Sequence, residues 1–167
     1  GSLCVKCNNE MHTEVFPIGS LVCEIEIDPD TGAMAITKYI CVDDVGRAIN
    51  PRIVEGQTHG GVVQGIGQAL LEQCAIDPFT GQPVSATLMD YSIPRADHFP
   101  KFETELHELP SPTNPLGVKA GGEGGTTGAL AAVVNAVMDA LRPYGVRDFQ
   151  MPVTPLKVWQ AIHRPKT

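Results

Sequence analysis

Residues 117–129, GVKAGGEGGTTGA, hold six glycines and one acid, Glu123. Each glycine raises the entropic cost of ordering the loop, so the stretch reads as backbone that must come close to something. Glycine-rich backbone ahead of a helix offers N–H groups to an anion, and phosphate is the usual guest. The P-loop pattern is not met, because no Gly-Lys-Ser/Thr follows, and a carboxylate among those donors would repel a phosphate. Glu123 is instead placed to act as a general base, its side chain free to enter a cleft because its neighbours have none. An acid in the first turn of a helix, favoured by the helix dipole, is the plainer account. The residues alone leave both open.

A second bare surface lies upstream. Residues 51 to 73 read as a helix, yet contain Gly56, Gly60, Gly61, Gly65 and Gly67, each costing about 1 kcal/mol relative to alanine in a helix interior. Glycines four apart fall on neighbouring rows of one face, where another backbone or a flat ligand could approach, and Gln64 stands among them. Gly65-Ile66-Gly67-Gln68-Ala69 looks like a dinucleotide fingerprint but has no strand leading into it, so that reading is set aside. Asp43 and Asp44 could ligate a metal. No further ligands sit at useful spacing, so turn and cap roles are expected for them. Cys4-Val5-Lys6-Cys7 lacks the second pair that a zinc site needs.

The elements that would position these residues are legible in outline. Leu21, Cys23, Ile25 and Ile27 alternate with polar or outward positions over 21–28, the period of a half-buried strand. Asp28-Pro29-Asp30-Thr31-Gly32 supplies a turn, and 33–42 returns as the second strand of a hairpin. Asn50-Pro51 reads as a helix N-cap followed by proline at the first helical position. Residues 76–100 are loop-like, and Phe102 to His107 alternate as a third strand with a solvated charged face. Leu130, Val133, Val134, Val137, Met138 and Leu141 mark a helix near 126–142 that Thr126 or Thr127 could cap. A last short helix spans about 154–163. The expected fold class is α+β, a small mixed sheet with a hairpin packed by two long helices, preceded by a loose segment over residues 1–11.

Composition narrows the function classes. The chain has 167 residues, 43% hydrophobic and 19% charged, as in an ordinary soluble globular protein. Its net charge of -7 and the lack of a Lys/Arg run argue against nucleic acid or an anionic membrane as partner. No stretch of about 18 apolar residues suggests a membrane span, and no signal peptide opens the sequence. Five cysteines without pattern argue for a reducing, cytoplasmic compartment.

The run PSPTNPLGVKAGGEGGTTGALAAVVNAVMDAL, with VCEIEIDPDTG, VDDVGRAINPRIVEGQTHGGVVQGIGQALLEQ and MDYSIPRA, closely resembles the C-terminal part of the large, molybdenum-binding subunit of the xanthine oxidase family. The likeness runs from about residue 12 to residue 163 and looks nearest to the bacterial aldehyde oxidase and carbon monoxide dehydrogenase type. It implies a portion, over 12–167, of a molybdopterin-binding domain. It also implies that Glu123 is the general base beside molybdenum and that Gln64 lies against the pterin. Backbone at Gly121 and Gly122 would approach the cofactor, molybdopterin in its cytosine dinucleotide form, with no metal ligand from the protein itself. The implied reaction is oxidation of an aldehyde, an N-heterocycle or another small-molecule substrate, with water as oxygen source. The implied partners are the upstream half of the molybdenum subunit together with iron–sulfur and FAD subunits. Without that half, the chain alone is expected to bind no cofactor, to expose apolar surface that promotes homo-oligomers, and to serve at most in assembly.

Overall fold

The computed structural model describes residues 3–8, 10 and 12–164. Its elements are strands β1 (Ile18–Ile27) and β2 (Met34–Asp44), helix α1 (Pro51–Leu70), strand β3 (Glu103–Leu106), and helices α2 (Gly124–Leu141) and α3 (Pro155–His163). The reading of 1–11 as a loose segment falls partly on Gly1, Ser2, Asn9 and Met11, which lie outside the described residues.

The three strands form one sheet in the order β1-β2-β3. β1 and β2 pair antiparallel, with Leu21 opposite Cys41 and Cys23 opposite Tyr39, whereas β3 joins β2 in parallel, with Ile40 opposite Glu103. The hairpin turn forms because Asp28 organises it: Oδ1 accepts from the Asp30 amide at 2.9 Å and Oδ2 from the Thr31 hydroxyl at 2.6 Å. These bonds favour the charged form and hold the Asp28 carboxyl below the usual carboxylate range. Gly32 closes the turn with φ of 74°, a conformation that L side chains rarely adopt.

The core lies between the sheet and the two long helices. Tyr39 and Cys41 from β2, Val62, Ile66 and Ala69 from α1, and Val133, Val137 and Leu141 from α2 are buried together. The spacing of the α2 set is the helical stripe expected from the sequence. Burial makes ionisation of the Cys41 thiol costly, and with the added effect of nearby Asp43 its pKa is pushed up to about 12. The Tyr39 ring meets Phe102 edge-on, with ring centroids 5.5 Å apart.

Three expectations need correcting. α1 ends at Leu70 rather than near residue 73, because the amides of Leu71 and Glu72 both turn back to the Gly67 carbonyl. In addition, Val153 takes the Ala69 carbonyl at 2.7 Å. α2 begins at Gly124 with Glu123 at the cap, so Thr126 and Thr127 lie inside the helix. Asp43 and Asp44 are the last residues of β2 and are buried, so the expected turn starts only after them, although Asp44 still accepts the Gly46 amide as a turn residue does. By contrast, Asn50 caps α1 as expected, its side chain accepting from the Ile53 amide at 3.3 Å.

Candidate active site

The site begins at the end of β2. Asp44 Oδ1 accepts from the Gly46 amide at 2.8 Å and the Leu109 amide at 3.1 Å, while Oδ2 accepts from Lys119 Nζ. Burial opposes ionisation here, but these donors outweigh it and hold the Asp44 carboxyl below the usual carboxylate range. The Lys119 amide donates to Val45 and the Arg47 amide to Gly117, at 2.8 Å each. Asn114 brackets Val118, accepting from its amide at 3.1 Å and donating to its carbonyl at 2.9 Å. Gly117 itself has φ of 68°. The GVK part of the loop is therefore pinned to the sheet through backbone and buried charge before the chain reaches Glu123.

Glu123 is exposed, with φ of -113° and ψ of -2°, and its side chain makes no capping bond to α2. Glu123 thus occupies the cap position at the start of α2, where the helix dipole favours an acid, with its carboxylate not spent on a capping bond. Glu123 stands at the rim of a cleft of about 330 Å³ whose other walls include Phe16, Ile18, Leu21 and Val45. Beside it, Gln57 of α1 donates its side-chain amide to the Gly122 carbonyl at 2.6 Å. This bond joins the start of α1 to the loop that presents the acid.

Gln64 is also exposed but borders a different hollow, with Gln68, Glu72 and Tyr91. One cavity therefore does not enclose Gln64 and Glu123 together. A helix row connects them instead: Gln57, Gly60 and Gln64 recur at helical spacing on one face. The run from Gln57 to Gln64 covers about 10 Å along the axis.

Gly67 packs against Glu72 and Pro94, and the other four glycines of α1 divide between two uses. Gly61 and Gly65 pack against α2: a side-chain carbon at Gly65 would stand 2.7 Å from Ala129 Cβ and from the Thr126 carbonyl oxygen. Gly125 of α2 answers them, approaching the Thr58 carbonyl and the Val62 amide. Half of the bare surface thus serves a close helix pair and is closed to any ligand. At Gly56, Gly60, Gly122 and Gly124, a side-chain carbon would meet nothing within 4 Å. These open positions, the first amides of α2 left without a side-chain cap, and the amides of Gln57 and Gln64 fit a flat group rich in polar edges. Gly122 shares that open surface, whereas Gly121 faces Val45.

Gln57, Thr58 and Lys119 carry no motif that marks them in the sequence, and Asp44 is marked there only as a turn or cap residue. Thr58 donates to Asp43 Oδ2 at 3.0 Å, which explains why that acid is tolerated in the interior. The only local signal for this group was the presence of polar residues within otherwise apolar or glycine-rich runs. Among the described residues, no group of three or more His, Cys, Asp or Glu could hold a metal ion.

Residues 4–100, which include the open glycine row of α1, match the molybdopterin cofactor-binding domain family. The chain belongs to that family, and more broadly to the molybdenum subunits of the xanthine oxidase family. It is 46% identical over 147 residues to the nicotine 6-hydroxylase large subunit of Paenarthrobacter nicotinovorans, covering 88% of this chain and 18% of that one. The carbon monoxide dehydrogenase large chain of Hydrogenophaga pseudoflava is 37% identical over 147 residues, with the same coverage of 88% and 18%. Among solved structures, quinoline 2-oxidoreductase from Pseudomonas putida 86 superposes with a TM-score of 0.80 at 46% identity, over 84% of this chain and 18% of that chain. The chain therefore spans about a fifth of the length of these relatives. Residues 4–100 include Gln64 but not Glu123, so the family match bears on the helix row and not on the acid.

Proposed function

We propose that this chain forms one wall of the active site of a molybdenum hydroxylase, with Glu123 as its general base. The observation that carries the reading is the row from Gln64 through Gly60 to Gln57, whose amide holds the carbonyl next to Glu123. A cofactor lying along that row would have its reacting end beside the carboxylate. When bound, molybdopterin, here in its cytosine dinucleotide form, supplies the oxygen-transfer and electron-accepting chemistry.

The chain's own part is positional. Glu123 Oε takes up a proton during substrate oxidation, the Gln57 bond and the Asp44–Lys119 pair fix where that oxygen stands, and the open glycines admit the pterin. Gly121 and Gly122 offer backbone, and Gln64 offers an amide to a polar pterin edge. The substrate is a small electrophilic molecule of the aldehyde or N-heterocycle type. Ile49, Ile53, Leu88 and Met89 are exposed and support an upstream half of the same subunit as the opposite wall. Iron–sulfur and FAD subunits would carry the electrons onward.

The test is Glu123→Gln in the assembled enzyme. It keeps size but removes the basic oxygen, and turnover should fall by about two to four orders of magnitude while molybdenum content is unchanged. Turnover within a few fold of the parent refutes the assignment. The chain expressed alone should carry no molybdenum by elemental analysis, because open hydrogen bonds of about 1 kcal/mol each do not offset the cost of association.

A further inference from the structure

At the opposite end of α2 from Glu123, about 27 Å away along an 18-residue helix, lies an open cavity of about 970 Å³. Arg142, Arg147, Lys157 and Arg164 line it against a single carboxylate, Asp148. Four of the twelve Lys and Arg residues of a chain of charge -7 are gathered there. Lys157 is partly engaged, its Nζ donating to the carbonyls of Gln150 at 3.3 Å and Pro152 at 2.8 Å. Arg142, Arg147 and Arg164 form no ion pair among the described residues. Asp139 lies in a neighbouring hollow with Arg142 and Arg147 and pairs with neither.

A cation at the C-terminal end of α2 is favoured by the helix dipole, which accounts for Arg142 alone. Arg147 comes from a loop and Arg164 from the end of α3. Gly145, with φ of 80°, reverses the chain after the short turn 142–144, so Arg142 and Arg147 border one cavity. Two aromatic rings share its lining, Phe149 and Tyr144, the latter 40% exposed. The volume falls in the range of small-molecule sites.

We propose that this cavity binds a nucleoside diphosphate. Guanidinium forks match phosphate oxygens in pairs, and an exposed aromatic ring gives a base a face to stack on. An acidic peptide would use the charges but leave the rings and the concavity without a role. The site is independent of Glu123.

Titration of ADP and of inorganic pyrophosphate into the chain by calorimetry tests this. ADP should bind saturably at one site. Arg142→Gln combined with Arg147→Gln should weaken both ligands at least tenfold, and Arg142→Lys, which keeps the charge without the fork, should weaken them several fold. Tyr144→Ala should weaken ADP and leave pyrophosphate within about twofold. All these residues are exposed, and circular dichroism verifies that each variant is folded. No saturable ADP binding at millimolar concentration, unchanged affinity in the double variant, or binding of a glutamate-rich peptide in place of ADP overturns the proposal. Loss of ADP binding in Glu123→Gln would also overturn it, since that residue lies at the far end of the helix.

Discussion

Asp44 and Lys119 lie 75 positions apart in the chain and meet as a buried ion pair, with side chains 7% and 13% exposed. The same carboxylate also accepts two backbone amides, from Gly46 and Leu109. One acid thus fixes the end of β2, the start of the proline-rich loop and the lysine four residues before Glu123.

Asp44→Asn should therefore destabilise the chain by about 3 kcal/mol, because it leaves Lys119 buried without its charge partner. The pH dependence has a definite sign. The folded carboxyl titrates below its unfolded value of about 3.9, so its contribution is fully present above that value and is lost as pH falls through the lower folded pKa. Urea midpoints measured from pH 6 down to pH 3 should fall steeply below about pH 4 in the parent. They should fall less steeply in the variant. Parallel curves would show that another group governs the acid limb.

Gln57→Leu removes the donor to Gly122 while keeping similar bulk on an exposed face. The fold should be unaffected within about 0.5 kcal/mol, yet turnover of the assembled enzyme should drop about tenfold as the Glu123 loop loses its anchor. Gln57→Asn, too short to reach, should behave like leucine. Equal activity in all three forms would remove Gln57 from the site.

Gly65→Ala and Gly60→Ala should move in opposite directions. At Gly65 the added carbon collides with α2, and overpacking costs about 1–3 kcal/mol. At Gly60 it meets nothing, so the gain in helix propensity, up to about 1 kcal/mol, is left unopposed in the isolated chain. Thermal denaturation of the two variants reads the difference directly. A destabilised Gly60→Ala would mean that the open row is covered in solution.

The parts of this fold legible in the sequence are those encoded locally. Alternation over Leu21 to Ile27 announces β1, Asp28 to Gly32 announces its turn, and Asn50-Pro51 announces the first turn of α1. The α2 stripe is equally plain, but its start is not. Thr126 and Thr127 are good capping residues, and only the packing of Gly125 against Thr58 and Val62 places them inside the helix. Asp43 and Asp44 look like turn residues because only one of the groups that satisfy them, the Gly46 amide, is local, whereas Thr58, Leu109 and Lys119 come from distant segments. The α1 glycines show their spacing in sequence, but not that Gly61 and Gly65 meet a helix while Gly56 and Gly60 meet open space. Glu123 and Gln64 stand out by their bare surroundings. Gln57 does not, because its role depends on a carbonyl 65 positions away.

The parallel pairing of β3 with β2 has a consequence for the order of assembly. A hairpin closes over a short turn, whereas Ile40 must wait for Glu103, and loop closure across such a separation slows folding. During synthesis the hairpin and α1 emerge first, with Asp44 still lacking its lysine and the packed glycine face of α1 still lacking α2. Both are completed only when the GVKAGGEGG segment and the helix behind it have left the ribosome. The loop that carries Glu123 is thus added after the sheet, and a nascent chain stalled before residue 117 would display all three strands without the acid or the helix that follows it.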